Sequence, residues 1–66
     1  MRDRLREARN EQGLTQQDMA DKLGITLNGY QKIEYGERVG NVELWDRMED
    51  MFGIHQRILR MNGESK

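Results

Sequence analysis

The sequence predicts an all-α fold, a bundle of five short helices, and three observations carry that expectation. Apolar residues recur at intervals of three and four rather than two. Helix-start and helix-stop residues alternate along the chain, with Thr15, Thr26 and Asn41 as caps and Gly13, Gly24, Gly36 and Gly53 as stops. No strand-like alternation, linker, repeat or low-complexity block interrupts this pattern, and the 66 residues contain no proline.

Residues 2 to 12 are expected to form the first helix, with Leu5, Ala8 and Gln12 on one side and arginine and glutamate around the rest. Gly13 ends it, where a left-handed residue costs least. Thr15 opens a second helix, and Asp18 three residues on completes a capping box. Leu14 can pack on Met19 as a hydrophobic staple, and Met19, Ala20 and Leu23 form the buried stripe. The third helix repeats the device: Thr26 caps it, Ile25 is spaced to pack on Tyr30, and Tyr30 and Ile33 point inward. That leaves Asn28, Gln31 and Lys32 more exposed.

Glu37 to Gly40 read as a loop. Asn41 then caps a fourth helix whose Val42, Leu44, Trp45, Met48, Met51 and Phe52 make the largest apolar group in the chain. A fifth helix from about Ile54 to Met61 offers Ile54, Ile58 and Met61 at core spacing. The expected core is therefore Leu5, Met19, Ala20, Leu23, Tyr30, Ile33, Trp45, Met48, Phe52 and Ile58, with Trp45 as its anchor. Residues 1–61 are expected to form one domain and residues 62–66 a flexible tail.

A chain of this size lies near the limit at which one core suffices. Without cysteine it has neither disulfides nor a thiolate metal site to help. The formal net charge of −1 is unlike that of strongly basic nucleic-acid binders. The charges are nevertheless segregated, with Arg2, Arg4, Arg6 and Arg9 in the first segment and Glu43, Asp46, Glu49 and Asp50 in the fourth. A basic patch on an acidic molecule is compatible with that distribution. No apolar stretch reaches membrane-spanning length and the N-terminus is charged, so a cytoplasmic location is expected.

His55, the single histidine, lacks metal-site spacing and suits a surface or capping role. Asp18 and Asp21 have no acid–base partner at a useful spacing, so no catalytic constellation is formed. No enzymatic activity, metal, cofactor or small-molecule ligand is expected.

From Leu14 to Gly36, two capped helices around a tight turn hold a polar-faced helix at a set crossing, the usual device for reading a DNA groove. The segments Leu14-Thr15-Gln16, Met19-Ala20 to Leu23-Gly24, Thr26 before Tyr30, and Ile33-Glu34-Tyr35-Gly36 resemble the phage repressor and Cro-like helix-turn-helix family, also called the Xre family. The likeness runs from about Leu5 through Leu59. It implies a five-helix repressor-like domain that binds a double-stranded DNA operator, commonly as a homodimer. A small transcriptional regulator that acts as a repressor, encoded by a bacterium or phage and associated with the nucleoid, is the function it suggests. The alternative is a protein-interaction adaptor or anti-repressor on the same fold.

Residue by residue, the resemblance implies that Leu27, Asn28, Gln31 and Lys32 face base edges from a reading helix spanning Leu27 to Tyr35. It implies backbone contacts from Thr15, Gln16, Gln17, Tyr35 and Arg38, and an Arg9–Glu34 ion pair joining the first helix to the third. Elementary chemistry agrees: Asn and Gln suit adenine, Lys suits guanine acceptors or phosphate, and Leu27 suits a thymine methyl. Two readings stand for Arg2, Arg4 and Arg6, phosphate contact or a solvated helix face.

Four positions depart from the family's pattern. Gly29 lies inside the reading helix, where it lowers helix propensity by about 1 kcal/mol relative to alanine; it either permits close approach to DNA or is a tolerated local defect. Glu37 puts a negative charge beside the reading surface. Gly40 replaces a frequent proline, and Glu49 replaces a small apolar residue, which is expected to leave that face more open. The expected dimer surface is the loop Glu37 to Gly40 with the last two helices, especially Met51, Ile54, Leu59 and Met61.

Overall fold

The local signals become five helices in the computed structural model of the protein, which describes residues 1–61: α1 (Asp3–Glu11), α2 (Gln16–Leu23), α3 (Leu27–Glu34), α4 (Val42–Phe52) and α5 (Gln56–Leu59). The tail expected over 62–66 lies outside the described residues.

Capping sets the boundaries of α2, α3 and α4. The Thr15 hydroxyl accepts from the Asp18 backbone N–H at 3.0 Å, while the Thr15 N–H donates to the Asp18 carboxylate at 2.9 Å. The same backbone bond holds the Asp18 carboxyl below the ordinary aspartate range. Thr26 accepts from Gly29 N–H at 3.0 Å and Asn41 from Leu44 N–H at 2.9 Å. Gly24 closes α2 in the left-handed conformation at φ +72°, so the turn into α3 is tight. Both residues placed to staple, Leu14 and Ile25, are partly buried against the core.

The core consists of Leu5, Ala8, Met19, Ala20, Leu23, Tyr30, Ile33, Trp45, Met48 and Leu59, with α5 packed on α1 and α4. Two expected members are displaced. Phe52 is only half-buried at the end of α4, and Ile58 is exposed while Leu59 is fully buried. The cause is the start of α5. His55 caps it, its Nδ1 accepting from Arg57 N–H at 3.0 Å, so Ile54 precedes the helix and the single turn from Gln56 brings Leu59 inward. The same register removes Leu59 from the expected dimer surface. Val42, counted with the apolar group of α4, is also exposed.

Arg2 follows neither reading of the N-terminal arginines. It is buried, at 6% exposure. Its guanidinium donates to the Ile33 and Arg38 carbonyls through Nη1 and to the Arg60 carbonyl through Nε, and it lies 5.2 Å from the Trp45 ring centroid. Its backbone N–H donates to the Glu34 carbonyl at 2.8 Å. One side chain thus ties the end of α3, the following loop and the end of α5 to the face of the core tryptophan. Burial, followed by the charge of Arg60, holds the Arg2 pKa below its ordinary value. Charging the buried guanidinium therefore opposes folding, and the carbonyls and ring offset that cost.

Gly40 loses its apparent oddity. Its φ of +80° is inaccessible to proline, and a Cβ there would sit 3.3 Å from Trp45 Nε1. That indole N–H donates to the Val39 carbonyl at 2.8 Å, so the loop turns sharply against the tryptophan. The face carrying Glu49 is not open. Gln56 spans it, donating to Asp46 at 2.7 Å and to Glu49 at 3.1 Å, which joins α5 to α4.

Candidate nucleic-acid interface

A buried carboxylate fixes the crossing of α2 and α3. Glu34 is fully buried on α3 and faces Arg9 of α1 in a two-pronged pair, Nε to Oε1 at 2.9 Å and Nη2 to Oε2 at 3.1 Å. The Tyr30 hydroxyl donates to Oε1 at 2.7 Å, and Gln16, the first residue of α2, donates to Oε2 at 3.1 Å. Arg9 also donates to the Leu14 carbonyl at 2.9 Å, which holds the chain entering α2. With α1, α2 and α3 meeting at one carboxylate, neither helix of the motif can turn independently.

The electrostatics follow from this geometry. The hydrogen bonds to Glu34 hold the Arg9 pKa above its usual value despite partial burial. Burial, with the Glu34 hydrogen bond and charge, pushes the Tyr30 hydroxyl far up, so it stays a donor across the accessible pH range. No buried side-chain nitrogen or oxygen among the described residues lacks a hydrogen-bond partner.

The outer face of α3 presents Asn28 exposed, with Leu27, Gln31 and Lys32 half-buried and Tyr35 exposed at its end. Gln31 is engaged, donating to Gln16 Oε1 at 3.0 Å. Lys32 lies 3.8 Å from the Glu37 carboxylate, so the departure at position 37 partly neutralises the cation beside it. Backbone N–H groups of Glu37 and Arg38 both donate to the Lys32 carbonyl, which returns the loop onto the end of α3. Thr15, the cap before α2, is exposed with its hydroxyl hydrogen still available, and exposed Gln17 on α2 donates to Asp21 at 3.0 Å.

Gly29 is buried rather than turned outward. A Cβ there would lie 3.1 Å from the Thr26 hydroxyl and 3.7 Å from an Arg38 guanidinium nitrogen. It floors an open cleft of about 400 Å³ lined also by Ile25, Ile33, Asn41 and Leu44. The missing side chain makes room for the Thr26 hydroxyl that caps α3, which accounts for Gly29 by packing inside the protein. Sequence reasoning missed Arg2 altogether as an organiser of this region. Its partners are main-chain carbonyls, and no residue type announces those.

A polar helix held by a short turn against a bracing helix, and locked from beneath, defines the helix-turn-helix class. A family model described as Helix-turn-helix matches residues 5–56. The chain is also 36% identical over 52 residues to an SPbeta prophage-derived uncharacterized HTH-type transcriptional regulator, YonR, of Bacillus subtilis (strain 168). That match covers 79% of this chain and 48% of the relative, so the chain spans about half the relative's length. No solved structure matches it. The chain belongs to the helix-turn-helix family, in its repressor- and Cro-like (Xre) branch.

Proposed function

We propose that the protein is a sequence-specific double-stranded DNA-binding transcriptional regulator that acts as a repressor, with α3 in the major groove and α2 braced across the backbone. The observation that carries this reading is the polar face of Asn28, Gln31 and Lys32 on a helix whose crossing is locked through Glu34 to α1 and α2. Such a face gains nothing from being held rigidly unless its side chains must meet fixed partners. Resemblance to an HTH-type transcriptional regulator supports the same reading.

Arg38, Thr15, Gln17 and Tyr35 are the assigned phosphate contacts. Gln16 braces the reading helix and reaches the backbone from its exposed edge. The working form is a homodimer on half-sites about one turn, roughly 34 Å, apart. The domain's longest dimension of 32 Å suits neighbours at that spacing. Val39 at 63%, Met61 at 49% and Ile58 at 37% exposure supply apolar surface for the dimer in place of Leu59.

Titration against random duplex at low and moderate salt, followed by selection of bound duplexes from a random pool, tests this reading. Weak salt-sensitive binding, with tighter binding to a two-fold selected site, is expected. A folded protein that binds no duplex at low salt would refute it in favour of the adaptor reading. Joint substitution N28A/K32A is expected to leave stability within about 0.5 kcal/mol and to abolish operator discrimination; unchanged selectivity would refute the assigned face.

A further inference from the structure

Arg2 is buried, yet one nitrogen of its guanidinium is not engaged inside the protein. Nε donates to the Arg60 carbonyl and Nη1 to the Ile33 and Arg38 carbonyls, while Nη2 has no partner among the described residues. No buried side-chain nitrogen there lacks a partner, so Nη2 reaches the surface. The surface it reaches is an open cavity of about 590 Å³, which Arg2 lines together with Arg57, Arg60 and His55.

The lining holds no carboxylate, and neither Arg57 nor Arg60 has one within ion-pair distance among the described residues. His55 Nδ1 accepts from the Arg57 backbone N–H, so its ring proton lies on Nε2 as a further donor. Gln56, also in the lining, turns its amide nitrogen to Asp46 and Glu49 instead. Val39 and Met61 give the cavity apolar walls. Such a set donates without accepting, which suits an anion. Burial and then the charge of Arg60 disfavour the Arg2 cation, and an anion between the two guanidiniums relieves that repulsion. A carboxylate brings two oxygens and one charge; a phosphate monoester brings three terminal oxygens and nearly two charges at neutral pH. Small-ligand pockets span about 300–1,000 Å³, so there is room for the group that carries the phosphate.

We propose that this cavity binds the phosphate group of a small phosphorylated molecule, with Arg2, Arg57, Arg60 and His55 as donors and Val39 and Met61 against the rest of the ligand. A DNA backbone carries the same chemistry. None of the residues assigned to DNA contact lines the cavity, however, and a rigid duplex does not reach a guanidinium that is 6% exposed. No sequence pattern announces the site, because Arg2 and Arg60 stand 58 residues apart.

Calorimetric titration of the unbound full chain with phenyl phosphate and with benzoate, at one ionic strength set by sodium chloride, tests the proposal. Saturable binding of one phenyl phosphate per chain is expected, about tenfold tighter than benzoate. It should change the fluorescence of Trp45, the single tryptophan, whose ring centroid lies 5.2 Å from Arg2 and 6.0 Å from Arg60. R57Q/R60Q is expected to weaken binding about tenfold. Both side chains are exposed and make no hydrogen bond among the described residues, and circular dichroism checks that the fold is kept. Arg57→Gln alone, which leaves Arg60 beside the tryptophan, gives the same test if the double variant fails to fold. Arg47→Gln removes an exposed arginine outside the lining and is expected to change nothing. Absence of saturable binding, benzoate bound as tightly, or an equal loss in R47Q overturns the proposal. Displacement of bound phenyl phosphate by a short duplex overturns the small-ligand assignment in favour of the DNA backbone. The titration needs no operator, so failure of the DNA reading leaves its outcome unchanged.

Discussion

Among the described residues two charged side chains are buried, Glu34 and Arg2, and they are satisfied in opposite ways. Glu34 has a formal counter-ion and three further hydrogen bonds beyond the first Arg9 contact, all from side chains. Among the described residues Arg2 has no carboxylate partner. It donates to three main-chain carbonyls and lies over the ring of Trp45. The first arrangement fixes the angle between helices; the second gathers chain ends and a loop that have no hydrogen-bonding pattern of their own. Asn28, Gln31 and Lys32 depend on the crossing, while the loop bearing Arg38 depends on the clamp.

Removal of each charge makes the contrast measurable. Glu34→Ala is expected to have the largest effect, about 3–5 kcal/mol, because it strands the Arg9 guanidinium and leaves Tyr30 and Gln16 without their acceptor. Urea unfolding followed by circular dichroism measures it; a loss below about 1 kcal/mol would mean that the pair is not a buried lock. Arg2→Met is expected to cost about 2 kcal/mol, since it takes a charged donor from three main-chain carbonyls. Arg2→Lys should restore less than half, because an ammonium cannot present the guanidinium's divergent donors. Full rescue by lysine would reduce Arg2 to a simple point charge.

Exposed charges set the lower limit of the scale. Glu37→Gln is expected to change stability by no more than about 0.5 kcal/mol, as exposed pairs contribute little. It should nevertheless tighten binding to random duplex and steepen its salt dependence, because Lys32 loses its competing anion. The smallest effect belongs to Asp18, whose carboxyl lies below its ordinary pKa through the Thr15 N–H bond. A depressed folded-state pKa stabilises the protein above the unfolded value of about 4, and that contribution is lost as pH falls through the folded-state value. An acid titration of unfolding should show this component in the unmodified chain and not in Asp18→Asn.

Much of the motif is legible in the chain because its controlling interactions are short-range. The Thr15–Asp18 box spans three residues, as do the Thr26 and Asn41 caps, and Gly24 closes α2 where a left-handed residue is needed. Arg9 and Glu34 are a recognisable pair once the motif places their helices together. By contrast, Ile58 and Leu59 are adjacent and chemically alike, and the His55 cap decides which of them enters the core. Gln31 was legible as a polar face residue, but its tie to Gln16 bridges fifteen residues between amides that carry no distinguishing signal.

Local sequence signals suffice for α1 to α4, the caps that bound α2, α3 and α4, and the polar face of α3, since each follows from residues within a turn of one another. Tertiary structure alone decided the place of Arg2, whose carbonyl partners lie 31, 36 and 58 residues away. It also decided that Gly29 makes room for the α3 cap, and that Gly40 turns the loop against Trp45. The physical reason is the same in each case. Every residue carries a carbonyl and a Cα environment, so only the folded chain selects which of them meet.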